Sequence, residues 1–420
     1  MKINIGEIID PTEGRVVVEV DESGKRHARF DLTGLPRVEG LLVGKGAGEA
    51  LKMTEHLCGI CPVAHHLAGT RALDALTSDG VVSDLAEMVR RLLHYGSIVE
   101  THSLRFVSVD REAGIALKKF SKLMLVGAGS PGHFPVTARP GGVTSWPAAT
   151  DLQAVVDGVS AAIDTAERVV AAFGETKKHA PIVSPQILDV ALIDAKGNPD
   201  VFGTRMRVSR NGEVVEEFGF SEWNEKIAEE IPGSPAPRPY FVPLGQEAGR
   251  YRVGPVSQLS IGSLSTVRAK TAQARWLKGA RDAAEARAIV TLHVLERTSQ
   301  LASELQQRLA EIDADTLSTP PQPIHAGTAT GLVDGPRGIL AHTYEVDQTG
   351  TITRSIILTP TAQNEPWLAD LLTRAAETET TPDGREAALE DSIREADPCL
   401  PISSAPPGQM GLKLDIIGAE

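Results

Sequence analysis

The chain reads as an α+β protein, with a core of long helices and β-rich segments at its N-terminal end and periphery. Two observations predict this. Apolar residues return at helical spacing over three extended stretches. Runs rich in β-branched residues, broken by turns containing Gly and Asp, lie before, between and after them. Long helices flanked by β-rich pieces suggest a single α+β domain over residues 1–420. Within it we expect a β-rich part over 1–60, a mainly helical core over 61–311, and a hairpin followed by a C-terminal cysteine segment over 327–420.

Taken in order, Arg15-Val-Val-Val-Glu-Val20 and His27-Ala-Arg-Phe-Asp-Leu32 flank Asp21-Glu-Ser-Gly-Lys25, the pattern of a hairpin. From Ser83 to Phe106, Leu85, Val89, Leu92, Gly96, Val99 and Phe106 mark one helical face. A second helix is predicted over 151–173 on Leu152, Val155, Val159, Ile163, Ala166, Val170 and Phe173, with Asp151 capping its start and Gly174 its end. A third, over 282–312, carries Ile289, Leu292, Leu295, Leu301, Leu305 and Leu309 and stops before the Pro-rich Thr319–Pro323. Between these helices, 185–220 reads as irregular strands. Ile339–Val346 and Thr351–Leu358 read as a hairpin turning through Gly350. The acidic stretch 377–390 reads as a solvated helix or loop.

Composition narrows the function. Forty-two Lys and Arg against 55 Asp and Glu give a formal net charge of −13, which argues against nucleic acid or an anionic membrane as partner. No apolar run reaches the roughly eighteen residues of a membrane span, and Met1–Ile8 lacks signal-peptide character. Three cysteines, an odd number, do not suggest a disulfide framework, and a reducing cytoplasm fits them best.

Two of those cysteines lie in Cys58-Gly-Ile-Cys61-Pro-Val-Ala-His65, framed by His56 and His66. Thiols three residues apart can turn toward one ion, and thiolate is a soft ligand suited to nickel, zinc or iron. By itself the pair also reads as two small buried residues at a helix start. A zinc knuckle would need a second pair nearby, and a redox dithiol would follow a first βαβ strand. The third cysteine lies in Asp397-Pro398-Cys399.

Thr54-Glu-His-Leu-Cys-Gly-Ile-Cys-Pro-Val-Ala-His-His66 resembles the first cysteine motif of NiFe hydrogenase large subunits, most closely the soluble NAD-reducing branch. The resemblance extends over nearly the whole chain: Arg90–Gly96 with His102 and Phe106, His133 with Pro140-Gly-Gly-Val143, Tyr251-Arg-Val-Gly-Pro255, Gly335-Pro-Arg-Gly338 with His342 and Tyr344, and Asp397-Pro-Cys399 with Pro407–Met410. It implies a hydrogenase-type oxidoreductase subunit that splits H2, or reduces protons, heterolytically at a nickel–iron centre whose iron carries CO and cyanide. Electrons would leave through a small subunit bearing iron–sulfur clusters, with diaphorase-type subunits beyond it in a hetero-oligomer. By position, Cys58 and Cys399 would be terminal nickel ligands and Cys61 a bridging one.

Arg337 would place a permanent positive charge over the metals; alone it reads as a surface arginine in a Gly-Pro turn. Glu13, in Pro-Thr-Glu-Gly, matches a proton-relaying glutamate, and otherwise an ordinary turn acid. Glu39, in Pro-Arg-Val-Glu, matches a glutamate that binds structural magnesium, and otherwise an exposed carboxylate. His65, His94, His102 and His133 read best as structural histidines that orient loops or support ligands.

The C-terminal motif departs from the family pattern Asp-Pro-Cys-x-x-Cys-x-x-His. Ile402 stands where the second bridging cysteine would be, and Ala405 where a histidine marks the site of maturation cleavage. Aliphatic Ile402 is expected to fill the vacated ligand space. The tail Leu412–Ile417 is expected to stay and pack as a final strand. These departures favour the alternative function, a hydrogenase-like subunit without a NiFe centre that serves as a structural or repurposed component of an electron-transfer complex. A single nickel or zinc ion on three thiolates lies between the two.

Overall fold

The structure, a computed structural model, describes residues 13–32, 37–77, 80–175, 187–234, 237–312, 322–378 and 381–418. The valine-rich start forms β1 (Glu13–Val20), which turns through Asp21–Lys25 into antiparallel β2 (Arg26–Phe30). The Asp21 carboxylate accepts from the backbone N–H groups of Ser23 and Lys25 and closes that turn. The expected hairpin is present. The described part of 1–60 also holds a helix, α1 (Ala47–Thr54), where Ala47, Ala50, Leu51 and Thr54 bury one face.

After the cysteine loop, α2 (Pro62–Asp74) starts with Pro62 at a first-turn position, where a missing N–H costs nothing. Four long helices build the centre: α3 (Asp84–Phe106), α4 (Arg111–Gly127), α5 (Ala149–Glu175) and α6 (Ala283–Ala310). α3 packs on α4 and α6, and α5 packs on the same two. Ser83, Asp110 and Asp282 accept first-turn N–H groups and fix three of the starts. α5 overruns both of its predicted ends. It begins behind Pro147, so Asp151 sits inside the first turn and Gly174 inside the last.

Two sheets flank the helices. In one, β3 (Leu188–Ile193), β4 (Arg205–Arg210) and β5 (Glu213–Gly219) are antiparallel, and Tyr251–Arg252 adds to β3 in parallel. In the other, β6 (Gly327–Gly335), β7 (Gly338–Val346) and β8 (Ile352–Leu358) form an antiparallel meander, so the predicted hairpin gains a strand on its N-terminal side. β6 and β7 are joined by a two-residue tip, Pro336-Arg337. β6 escaped sequence reading because it is rich in glycine. Gly331 needs to be glycine, since a Cβ there would collide with the backbone of α2 at Ala68 and Ala72.

The Pro140-Gly-Gly-Val143 loop is anchored from below. Arg90, fully buried, binds Asp74 through two nitrogens (2.6 and 3.1 Å) and donates to the carbonyls of Arg139 and Gly142. Asp74 also accepts from Gly141 N–H. No helix among the described residues is long and apolar enough to cross a membrane.

The acidic stretch becomes α7 (Glu365–Thr378) and α8 (Pro382–Ala396). Glu390, expected to be solvated, is buried. Its carboxylate accepts from Gly408 N–H at 2.7 Å and Met410 N–H at 3.0 Å. Arg394 donates to Pro406 O at 3.1 Å. Beyond this clamp, β9 (Gly411–Gly418) pairs in parallel with the whole of β1. The segment that would carry a cleavage site is thus tied down on both sides of Ala405. We expect intact-mass spectrometry of native protein to return a chain that still carries β9; a product ending near Ala405 would overturn this.

Candidate metal centre

The three cysteines, drawn from opposite ends of the chain, meet. Cys58 and Cys61 sulfurs lie 3.4 Å apart, and Cys399 is 3.6 Å from Cys58 and 3.7 Å from Cys61. They line a cavity of about 260 Å3 together with His65, Arg337 and Glu39. Thiolates bound to one tetrahedral ion at ~2.3 Å have sulfurs about 3.8 Å apart, so the cluster is sized for a single soft cation. The thiols share protons unequally. Cys58 is driven well below the ordinary thiol value because Cys399 and Cys61 both donate to it. Cys61 is correspondingly raised, and Cys399 is pushed up to about 12, chiefly by its bond to Cys58. A soft cation would displace the remaining protons.

Cys61 caps α2 and so places its sulfur and His65, four residues on, over the same helix start. The loop before it is held by His133, whose Nε2 is 2.8 Å from Gly59 O and whose Nδ1 is 3.0 Å from Glu100. Cys399 is fixed by its backbone N–H donating to Thr361 Oγ1 at 2.8 Å.

Arg337 is the tip of the β6–β7 turn, and its position is built rather than incidental. Asn364 Nδ2 donates to Arg337 O, His102 lies 2.7 Å from Pro336 O, and His94 lies 2.9 Å from Asp334 O. Burial holds both histidines down to about 4, so they support these carbonyls uncharged at neutral pH. The Tyr251-Arg-Val-Gly-Pro255 motif serves the same turn. Gly254 (φ 97°) lies against it, and a Cβ there would fall 2.5 Å from Arg337 O. The Arg337 side chain is buried, not on the surface. Its Nη1 is 3.9 Å from Cys399 Sγ and its Nε is 3.3 Å from Asp397. Burial alone would disfavour the charged form, yet Asp397 and the thiolates hold its pKa above the ordinary arginine value.

Asp397 is a hub that sequence reading missed. Its buried carboxylate meets Arg105, Arg337 and Arg287, and these guanidinium groups keep it ionised against its burial. The one signal for Arg105 is its place three residues after His102 on α3, which puts it on the same helix face.

Three expectations change. Ile402 does not fill the ligand space. It is 1 % exposed, lies outside the cavity wall, and packs into the apolar core where a Cβ at Gly14 would collide with its Cδ1. A short 3-10 turn over Pro401–Ser404 sets that direction. Glu39 is buried rather than exposed, and Arg37 Nη2 lies 2.8 Å from its carboxylate. His342, read only as a motif neighbour, bonds His65. Glu13 begins β1, but its side chain lies outside the described residues.

Three thiols at tetrahedral spacing suit nickel, while iron finds no second shared thiolate beside Cys61, because Ile402 offers no donor atom and faces away.

Comparison with known proteins gives a consistent picture. Residues 37–110 match the family described as nickel-dependent hydrogenase. The NAD-reducing hydrogenase HoxS subunit beta of Cupriavidus necator is 27% identical, the match covering 98% of this chain and 97% of that one. A relative from the F420-non-reducing hydrogenase vhu of Methanococcus voltae is also 27% identical, over 87% of this chain and 95% of its own length. Among solved structures, a crystal structure of an NAD+-reducing [NiFe]-hydrogenase in the H2-reduced state superposes with a TM-score of 0.79 at 27% identity, covering 92% of this chain and 95% of that one.

Proposed function

Because the chain belongs to the nickel-dependent NiFe hydrogenase large-subunit family, we propose that it is the large subunit of a hydrogenase-type oxidoreductase. It oxidises H2 or reduces protons at a nickel-containing centre and passes electrons to an iron–sulfur partner subunit. One observation carries this reading: Cys58, Cys61 and Cys399 converge on a cavity into which the β6–β7 turn delivers Arg337.

In this reading Cys58, Cys61 and Cys399 would hold nickel, and Cys61 would be the ligand nearest an iron. When bound, the metals supply the Lewis-acid and redox chemistry of H2 cleavage. The chain's own groups do the rest. Arg337 fixes a positive charge beside Cys399, where charge separates, at no cost in reorganisation because Asp397 and Asn364 already hold it. Cys58, the most acidic of the three thiols, is the natural first thiolate of the cluster. Glu13 is assigned to proton relay by position. The Arg37 guanidinium already supplies a positive charge at Glu39, so Glu39 is assigned to fixing the cavity wall in place of a magnesium ion.

The iron–sulfur partner is assigned to the face beside the cysteine loop. There exposed Phe134 stacks on His56 at 5.1 Å, and His133 ties the same segment to Gly59. Diaphorase-type subunits would complete the assembly, and free thiols are compatible with a cytoplasmic setting for it.

Arg337→Lys keeps the charge but loses the planar fork that spans Asp397 and the cavity. It is expected to lower H2-dependent dye reduction by about 100-fold at unchanged nickel content; unchanged turnover would remove Arg337 from the mechanism. A second reading, a subunit that keeps the fold without a NiFe centre within an electron-transfer complex, is favoured by one observation, the absence of a donor at Ile402.

A further inference from the structure

We propose that His65 is itself a metal ligand, completing with Cys58, Cys61 and Cys399 a Cys3His set for one thiophilic divalent ion. The identity of that ion as nickel rests on the reading above; the ligand set rests on geometry.

The three sulfurs occupy three corners of a tetrahedron, with edges of 3.4, 3.6 and 3.7 Å. The missing corner needs a donor from the cavity wall. Ile402 has none and packs elsewhere. The Ser403 hydroxyl, one residue on, is spent on Asp397 and the carbonyls of Pro398 and Leu400. Glu39 is occupied by Arg37, and Arg337 is a cation. The Thr361 and Thr359 hydroxyls accept from Cys399 N–H and Ala362 N–H, so that among the described residues lining the cavity the remaining nitrogen or sulfur donor is His65. One of its ring nitrogens lies within 4.8 Å of the sulfurs of both Cys58 and Cys61; Cys399 is outside that group and joins the set through its 3.6 and 3.7 Å approaches to those two sulfurs.

The other side of the ring is prepared for this role. His65 Nδ1 is 3.0 Å from His342 Nε2, and His342 Nδ1 is 2.6 Å from Tyr344 Oη. His342 and Tyr344 are fully buried, so the chain leads into the core and not to solvent. It holds the imidazole rather than delivering protons. Outer partners of this kind fix the ring and tautomer of metal-bound histidines. With Nδ1 engaged, Nε2 is the nitrogen left for the ion. The i, i+4 placement of Cys61 and His65 at the start of α2 brings both donors to one side without strain.

The test is X-ray absorption spectroscopy at the metal edge, with elemental analysis, on the complex purified from its native host. Wild type, His65→Ala, His65→Gln and His342→Ala are compared. Three sulfur scatterers and one imidazole nitrogen are expected, with the nitrogen lost in both His65 variants. His342→Ala should keep the 3:1 set and release metal to a chelator roughly 10–100-fold more readily. His65→Gln retains a side chain that can bond His342 and guards against an unfolded Ala variant, as does the thermal melt of each protein. Nickel with three sulfurs and one nitrogen supports both the ligand set and the hydrogenase reading. Zinc in that set supports the ligand set and overturns the hydrogenase reading. Nickel on sulfur alone, unchanged by His65 substitution, overturns His65 ligation and leaves the hydrogenase reading standing. A metal-free complex overturns both.

Discussion

Replacing Asp397 by Asn is expected to destabilise the fold by about 3–5 kcal/mol, the cost of breaking a buried ion pair from one side. Three guanidinium groups, from Arg105, Arg287 and Arg337, converge on this carboxylate. Neutralising it leaves two buried cations, Arg287 and Arg337, and the half-buried Arg105 around one point without a counter-charge. The same substitution frees the Arg337 side chain, so H2-dependent turnover should fall even at temperatures where the variant is folded. Denaturant titration and activity are read on the same preparation. A variant as stable as wild type would show that the arginines are compensated by the thiolates alone.

Asp334→Asn should do the opposite at high pH. Asp334 is fully buried in the strand leading to the Arg337 turn, and burial pushes its pKa up to about 7, only partly offset by Gln258 and Leu192 N–H. A carboxyl raised in the folded state binds a proton that the unfolded chain has already lost. Its cost therefore grows from the ordinary carboxyl range near pH 4 to about pH 7 and is constant above. The full difference corresponds to roughly 4 kcal/mol as an upper bound. Asn, being neutral throughout, escapes this cost. The variant should match wild type near pH 4 and become progressively more stable toward pH 8. Because the comparison is between two chains at each pH, the remaining titrating groups cancel. Parallel stability curves would mean that Asp334 is solvated or paired in solution.

Much of the fold was legible because its signals are local. Ser83 and Asp282 cap the helices whose apolar periodicity they precede, and Asp21 and Gly24 close the first turn. Misreadings came where tertiary packing overrides a local cue. Asp151 looks like a cap, but the helix starts behind Pro147. β6 looks too glycine-rich for a strand until α2 is seen lying against Gly331. Glu390 looks solvated until the returning tail brings Gly408 and Met410 to it.

The site divides the same way. Three cysteines in a chain of 420 residues, two of them in one motif, announce a soft-metal centre. That Cys399 would reach within 4 Å of the other two could be read only by resemblance. The Asp397 hub was not legible, because its arginines come from two different helices and the β6–β7 turn. Nor was the direction of Ile402, which depends on one 3-10 turn. A residue's identity shows what it can donate; where its side chain points is decided by the backbone it sits on.

The most direct measurement is infrared spectroscopy of the complex from its native host, read with its nickel and iron content. Nickel and iron together with the bands of iron-bound carbon monoxide and cyanide are the predicted result for a hydrogenase-type centre on Cys58, Cys61 and Cys399. A folded complex with neither nickel nor those bands would contradict it.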